Sequence, residues 1–288
     1  VGCNNDDGSR DAVALGAALA RTFDANLALA HVRPSAWGVP GAGMVDAEWD
    51  AYLQSRSEGI LAEAREDAGD ELAGIAVTEV VGRHRSSGTG LAELAEKRGS
   101  DGIVIGSAPG APDGRTGGGS TSDQLLHGSP VPVTLATAGF RRRAPERFTR
   151  AVVAYEVGTS ADHALQVAIR YAESAGLAVH LVTVLVRTRI YGSRLGSSAE
   201  AGVIQELRRT AAEAHDVVAA DQPAGVTMTS EVVLGDDVTS ALAQVSWQPE
   251  DLFVVGSSTR GPLQRVFLGD TTFKLVRGAS TPVLVAPR

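Results

Sequence analysis

"VVGSSTRGPLQRVFLGDTTFKLV", residues 254–276, holds a β-branched run that stops at Gly256, a long loop, a second glycine at Gly269 and then an apolar period suited to a helix. The same order occurs 150 residues earlier in "VIGSAPGAPDGRTGGGSTSDQLL", residues 104–126, with Gly106 and Gly119 in the matching places. A strand, a glycine loop and a helix found twice at one offset mark a duplicated chain. The offset extends outward through Asp6 and Glu156, Leu15 and Leu165, Leu27 and Leu177, Asp101 and Asp251, Thr121 and Thr271, and Pro132 and Pro282. Only in the middle does it slip, where "TEVVG" at 78–82 matches "SEVVLG" at 230–235, as small compensating indels in surface loops would make it.

Around these anchors each half alternates strand and helix signals. In the second half "AVVAY", "LAVHLVTVLV", "VTMTSEVVL", "DLFVVG" and "PVLVA" read as strands. Helical patterns separate them, over 161–176, about 198–220, from Asp237, and about 270–278. The first half repeats this with "LALAHV", "IAVTEVV", "DGIVIG" and "VPVTLA" as strands 2 to 5, after a short, polar strand 1 in "VGCNND". Strands alternating with helices pair in parallel through crossovers. The expected fold class is therefore α/β, with two tandem doubly wound domains, each a five-stranded parallel sheet flanked by helices. The boundaries expected are 1–140 for the first domain, 141–149 for a basic linker and 150–288 for the second. The linker is read from "AGFRRRAPERFTR", where arginines cluster and apolar periodicity stops, so its charges are expected to be solvated.

Composition narrows the function. The 288-residue chain has a formal charge of −8 and no basic surface interleaved with aromatics, which excludes nucleic acid as a natural partner. A single cysteine, Cys3, forms no internal disulfide, and the six histidines lack zinc spacings, so no metal site is expected and the interior is read as reducing. No apolar run reaches the roughly 20 residues of a membrane span, and "VGC" at 1–3 reads as a strand tail rather than a lipoprotein processing site, so the location expected is cytoplasmic. There is no serine–histidine–aspartate arrangement, nucleophile elbow or Walker lysine, so no enzyme activity is expected.

In an open parallel sheet, ligands bind at the carboxyl ends of the strands, where the winding reverses. There the repeat places an acid after strand 1 in both halves, Asp6 and Glu156, and a glycine after strand 4, Gly106 and Gly256. A carboxylate accepts hydrogen bonds from ribose hydroxyls; glycine lets a ligand approach the backbone. Asp6 is expected to be solvated and cheap to lose. Ser120, Thr121 and Ser122 open the last helix of the first half, where hydroxyls and unpaired amides suit an anion or simply cap the helix.

These spacings resemble the universal stress proteins. Their nucleotide-binding members use a loop of glycine, two residues, glycine, nine residues, glycine and serine or threonine to hold ATP. The resemblance covers nearly all of both halves. In the first loop Gly106, Gly119 and Ser120 fit, while Pro109 stands at the second glycine and removes an amide donor. In the second, Gly256 and Gly269 fit, but Thr259 replaces the second glycine and Asp270 the hydroxyl residue, a carboxylate where phosphates would lie. The resemblance implies an adenine nucleotide ligand, ATP or else AMP or ADP, with magnesium as a companion cation. The cofactor-binding residues it implies are Asp6, Val32, Gly106, Pro109, Gly119, Ser120, Thr121 and Ser122, with Glu156, Gly256, Gly269 and Thr271 in a degenerate second site. It further implies an internal pseudo-dimer through the two fifth strands, a homodimer as an open alternative, and a regulatory protein partner. Two other readings compete: a scaffold of the same fold that no longer binds nucleotide, and an ATP-using hydrolase on a related frame. Arg115 and Arg265 could meet phosphates or merely cover their loops. The glycine-rich middle of the first loop is expected to be mobile. Trp37 and Trp49 are expected to pack a loop against helix 2, and His163 to be a surface residue.

Overall fold

The computed structural model describes residues 1–35, 45–156, 161–187, 197–257 and 270–287. Two compact units divide the chain, essentially Val1–Arg147 and Phe148–Ala286. Both are α/β, as expected.

In the first unit, α1 (Asp7–Phe23), β1 (Leu27–Arg33), α2 (Val45–Ala68), β2 (Val77–Arg83), α3 (Ser87–Arg98), β3 (Ile103–Ile105), α4 (Ser120–Gly128) and β4 (Val133–Leu135) follow one another. β1 pairs in parallel with β2, and β3 with β4. The polar start of the chain joins these pairs: Gly2 bridges to Ala30, Gly2 N–H donates to Val104 C=O (2.8 Å) and Cys3 N–H to Ala30 C=O (2.8 Å). The spatial order is thus third, second, first, fourth, fifth strand. The winding reverses between the first-strand segment and β3, which fixes where a crevice must open.

α1 forms because its sequence supplies both ends and an apolar face. Asp6 caps it, Asp7 lies in its first turn and Arg21 in its last, and its alanines, Val13 and Leu15 are buried. Val13, Ala17, Leu27, Leu29, Leu61 and Leu72 pack into one cluster that fixes α1 and α2 on the sheet.

The second unit contains β5 (Arg150–Ala154), α5 (Ala161–Ala175), β6 (Ala178–Val186), α6 (Ser197–Ala220), β7 (Met228–Gly235), α7 (Val238–Leu242), β8 (Asp251–Gly256), α8 (Asp270–Gly278) and β9 (Val283–Ala286). Its strands are all parallel in the order β7, β6, β5, β8, β9. Arg150 and Asp251 form a buried two-point pair at 2.7 Å across β5 and β8, and Gln248 N–H adds a third bond to the carboxylate at 2.7 Å.

The stretch expected as a solvated linker keeps Arg142, Arg143 and Arg147 exposed, but its start is held by the first unit. Phe140–Arg143 forms a 3-10 turn with Phe140 buried. Asp11 accepts from the amides of Gly139 (2.7 Å) and Arg141 (2.8 Å), while Arg141 bonds Glu71 and Asp67, and Arg142 and Arg143 pair with Asp113. The physical reason is long-range pairing: the arginines meet acids from the end of α2, the turn after it and the glycine loop, and Asp11 of α1 takes two backbone amides, which no local reading of the run could reveal.

Candidate functional site

A cleft of about 560 Å³ opens at the carboxyl ends of the first unit's strands. It lies at the reversal of winding, between the chain after the first-strand segment and the loop after β3. Asp6, Val32, Gly106, Pro109, Gly119, Ser120, Thr121 and Ser122 all line it, so the structure brings the eight first-half candidates together. Arg115 is not among its lining residues.

Several of these residues also hold the fold. Asp6, expected as a solvated carboxylate, caps α1: its Oδ1 accepts from Ser9 N–H at 2.8 Å and from the Ser9 hydroxyl at 2.9 Å. Among the described residues its Oδ2 meets only the Asn4 side-chain amide, at 3.3 Å in an exposed setting. Gly106 is required by packing, since a Cβ there would fall 1.8 Å from the Gly8 carbonyl oxygen. The first turn of α1 therefore rests on the end of β3, and the glycine serves that close approach rather than a ligand's. Ser122 is buried and spends its hydroxyl on Gly119, accepting from its N–H and lying against its C=O, each at 2.8 Å.

The start of α4 is the part of this cleft whose chemistry suits an anion. Its N-cap is Gly119, in extended conformation, so no side chain accepts from the first-turn amides of Ser120, Thr121 and Ser122. Unpaired amides at a helix N-terminus, backed by the helix dipole, form a seat for a phosphate.

The loop leading to that seat is folded on itself. Ala108 N–H donates to Gly117 C=O (3.2 Å), and Gly117 N–H to the Ser107 hydroxyl (3.1 Å). Gly114 N–H donates to Ala138 C=O and Ala138 N–H to Arg115 C=O, both at 2.9 Å. Its small residues allow this tight path, with Gly110 and Gly114 at φ of 81° and 74°.

The other wall comes from α2, which sequence reasoning missed. Leu53, Arg56, Ser57 and Ile60 line the cleft at helical spacing. Their i, i+3, i+4, i+7 pattern was the available signal, but nothing in it said which cavity the stripe would face. At the mouth, Arg33 is buried and makes a two-point pair with Asp50 of α2 at 2.8 and 2.9 Å. Hydrogen bonding from Arg33 holds the Asp50 carboxyl below its ordinary range. Burial pushes the Cys3 thiol at the cleft floor up, which keeps it protonated and unreactive. Trp49 is 56% exposed and stacks on Tyr52 with ring centroids 5.3 Å apart; the loop it was expected to pack, residues 36–44, lies outside the described residues. Trp37 lies outside the described residues.

In the second unit Glu156 is exposed after β5, and Gly256 and Thr271 end β8 and begin α8. The Thr272 hydroxyl donates to Gly256 C=O at 3.0 Å, tying α8 to the strand end. Gly269, Thr259 and Arg265 lie outside the described residues, so of that motif only its flanks are seen.

A family model, that of the universal stress protein family, matches residues 1–136 and again 147–287. The chain belongs to the universal stress protein family. Two matches in one chain make it a tandem member, in line with the internal repeat. Among curated relatives, universal stress protein Rv2319c of Mycobacterium tuberculosis and Mb2346c of Mycobacterium bovis are each 29% identical over 277 residues, covering 96% of this chain and 94% of theirs. Among solved structures, a universal stress protein from Archaeoglobus fulgidus aligns with a TM-score of 0.63 at 18% identity, covering 100% of this chain and 97% of that one. A functionally unknown protein, PA1789 of Pseudomonas aeruginosa, aligns at 0.56 and 15% identity, covering 100% and 91%. At those identities the structural likeness speaks for the fold alone. Among the described residues of this universal stress protein, no helix is long and apolar enough to cross a membrane.

Proposed function

We propose that this tandem universal stress protein binds an adenine nucleotide, ATP in the first instance, in the cleft of its first unit, and acts as a nucleotide-responsive regulatory protein rather than an enzyme. The observation that carries the reading is the meeting of the α4 start, whose N-cap glycine leaves the first-turn amides without a side-chain acceptor, with Asp6 and Val32 across one cleft. Asp6 Oδ2 then takes a ribose hydroxyl, the backbone at Val32 borders the base, and the amides of Ser120 and Thr121 take phosphate oxygens. Magnesium fits as the nucleotide's own companion, meeting the charge that the amides leave unbalanced. The second unit is read as degenerate, on the strength of Thr259 and Asp270 in its motif.

One observation favours the scaffold reading: Asp6, Gly106 and Ser122 each have a structural task that needs no ligand. Mass spectrometry of small molecules released from freshly purified protein, with calorimetric titration of ATP, separates the two. Adenine nucleotide at about one per chain supports binding. Absence of released nucleotide together with no heat on titration supports the scaffold.

A further inference from the structure

Of the two arginines that line the first cleft, Arg33 is neutralised by Asp50 and Arg56 is not. Arginines elsewhere on the helices are of both kinds: among the described residues Arg170 and Arg208 have no ion pair, whereas others are paired. Arg10 pairs with Asp7 and Asp67, Arg65 with Glu79, and Arg209 with Glu206 and Glu213. Arg56 sits on a helix that also bears Glu48, Asp50, Glu58, Glu63, Glu66 and Asp67, yet its neighbours one turn away are Tyr52, Leu53, Gly59 and Ile60. None of these four is an acid, so the usual i, i+3 and i, i+4 pairing is closed to it. The segment between β1 and α2, residues 36–44, contains no charged residue either. Among the described residues Arg56 has no ion pair, and it shares the cleft-lining stripe with Leu53, Ser57 and Ile60.

The cleft itself has a deficit that this cation meets. Asp6 brings a negative charge into it, the charge of Arg33 is met by Asp50, which Arg83 shares at 3.4 Å, and Pro109 withholds an amide that the glycine loop would otherwise offer to phosphate. Helix dipole and amides alone face a polyphosphate with the equivalent of about half a positive charge. A guanidinium on the opposite wall adds a full charge and a planar fork matched to phosphate oxygens.

Resting on the nucleotide reading above, we infer that Arg56 is the charge-reading residue of the first cleft: it reaches across from α2 to the ligand's phosphates and makes the site selective for adenine nucleotides over adenosine. Its charge and planar fork make it a phosphate contact rather than a base-stacking one, and the adenosine arm of the test separates the two.

The test is calorimetric titration of the full chain with ATP, AMP and adenosine, at two salt concentrations, for wild type, Arg56→Gln and Arg56→Lys. Arg56 is exposed, and the thermal midpoints of the variants serve as the folding check. The expected result is ATP affinity lowered about tenfold in Arg56→Gln, with a flatter salt dependence, a smaller loss in Arg56→Lys, and a loss confined to ligands that carry phosphate. Equal ATP affinity and salt dependence in wild type and Arg56→Gln would overturn the inference while leaving nucleotide binding intact. An equal loss for ATP and adenosine would overturn it in favour of stacking on the base. A wild-type chain that binds none of the three would remove the nucleotide reading itself, and Arg56 with it.

Discussion

The Asp6 carboxylate divides its oxygens between the helix and the cleft, and two substitutions separate the tasks. Oδ1 accepts from the Ser9 amide at 2.8 Å and the Ser9 hydroxyl at 2.9 Å, whereas Oδ2 has one exposed contact at 3.3 Å. Asp6→Ala removes both. It should cost about 1 kcal/mol of α1 stability for the lost cap and also weaken ATP binding. Asp6→Asn keeps an acceptor at the Oδ1 position, and asparagine caps as well as aspartate, so only the dipole interaction of the charge is lost, about 0.3–1 kcal/mol. The Oδ2 position becomes an amide donor that cannot accept from a ribose hydroxyl. ATP affinity should therefore fall about tenfold in Asp6→Asn, as in Asp6→Ala, at nearly wild-type stability. Hydrogen exchange at the Ser9 amide reports the cap locally, free of the ambiguity of unfolding two domains together, and calorimetry reports binding. Asp6→Asn with wild-type affinity for ATP would refute the division of labour, as would equal loss of Ser9 protection in both variants.

Gly106→Ala should destabilise the first unit by about 3 kcal/mol or more, because the new Cβ meets the Gly8 carbonyl rather than a movable side chain; urea unfolding with near-native stability would contradict this. Asp251→Ala strands the Arg150 guanidinium in the interior and should cost about 3–5 kcal/mol, read from the urea transition of the second unit through Trp247 in a Trp37→Phe, Trp49→Phe background. His215, 1% exposed, donates from Nε2 to the Thr183 hydroxyl, which itself donates to Tyr155 C=O; its Nδ1 has no partner among the described residues. Burial, with His180 adding to it, holds its imidazole below the ordinary value, so the folded chain binds fewer protons than the unfolded one. Stability should be full above about pH 6.5 and fall as pH drops below it, and His215→Phe should flatten that fall in the same fluorescence assay.

The fold was readable because the evidence for it is repeated in the sequence. "DLFVVG" at 251–256 is β8 to the residue, and the helix expected about 270–278 is α8, since a glycine-terminated β-branched run and a periodic helix are local signals. That the first-half candidates would line one cleft was readable for the same reason: topology brings the ends of the first and fourth strands together, and the repeat marked both. What stayed hidden depends on long-range contact. Arg141 looks like part of a solvated run until Asp67 and Glu71, some 70 residues away, are folded against it. Gly106 reads as a ligand's glycine until Gly8 is seen to occupy its Cβ position. Arg56 is one arginine on an acidic helix until the cleft shows which face it occupies and which partners it lacks.

The central claim is that phosphates sit on the uncapped start of α4, and Gly119→Asp tests it most directly. Gly119 is extended, at φ −153°, so aspartate is allowed there; its Cβ would lie 3.1 Å from that of Ala108, a contact that needs a shift of a few tenths of an ångström. Its carboxylate would cap α4 as Asp6 caps α1 and Asp237 caps α7, taking the amides assigned to phosphate. ATP titration of the full chain, beside a thermal melt, should show near one site per wild-type chain and at least a tenfold loss of affinity in Gly119→Asp, with stability within a few tenths of a kcal/mol of wild type. Unchanged ATP affinity in a folded Gly119→Asp chain would place the phosphates elsewhere and contradict the account.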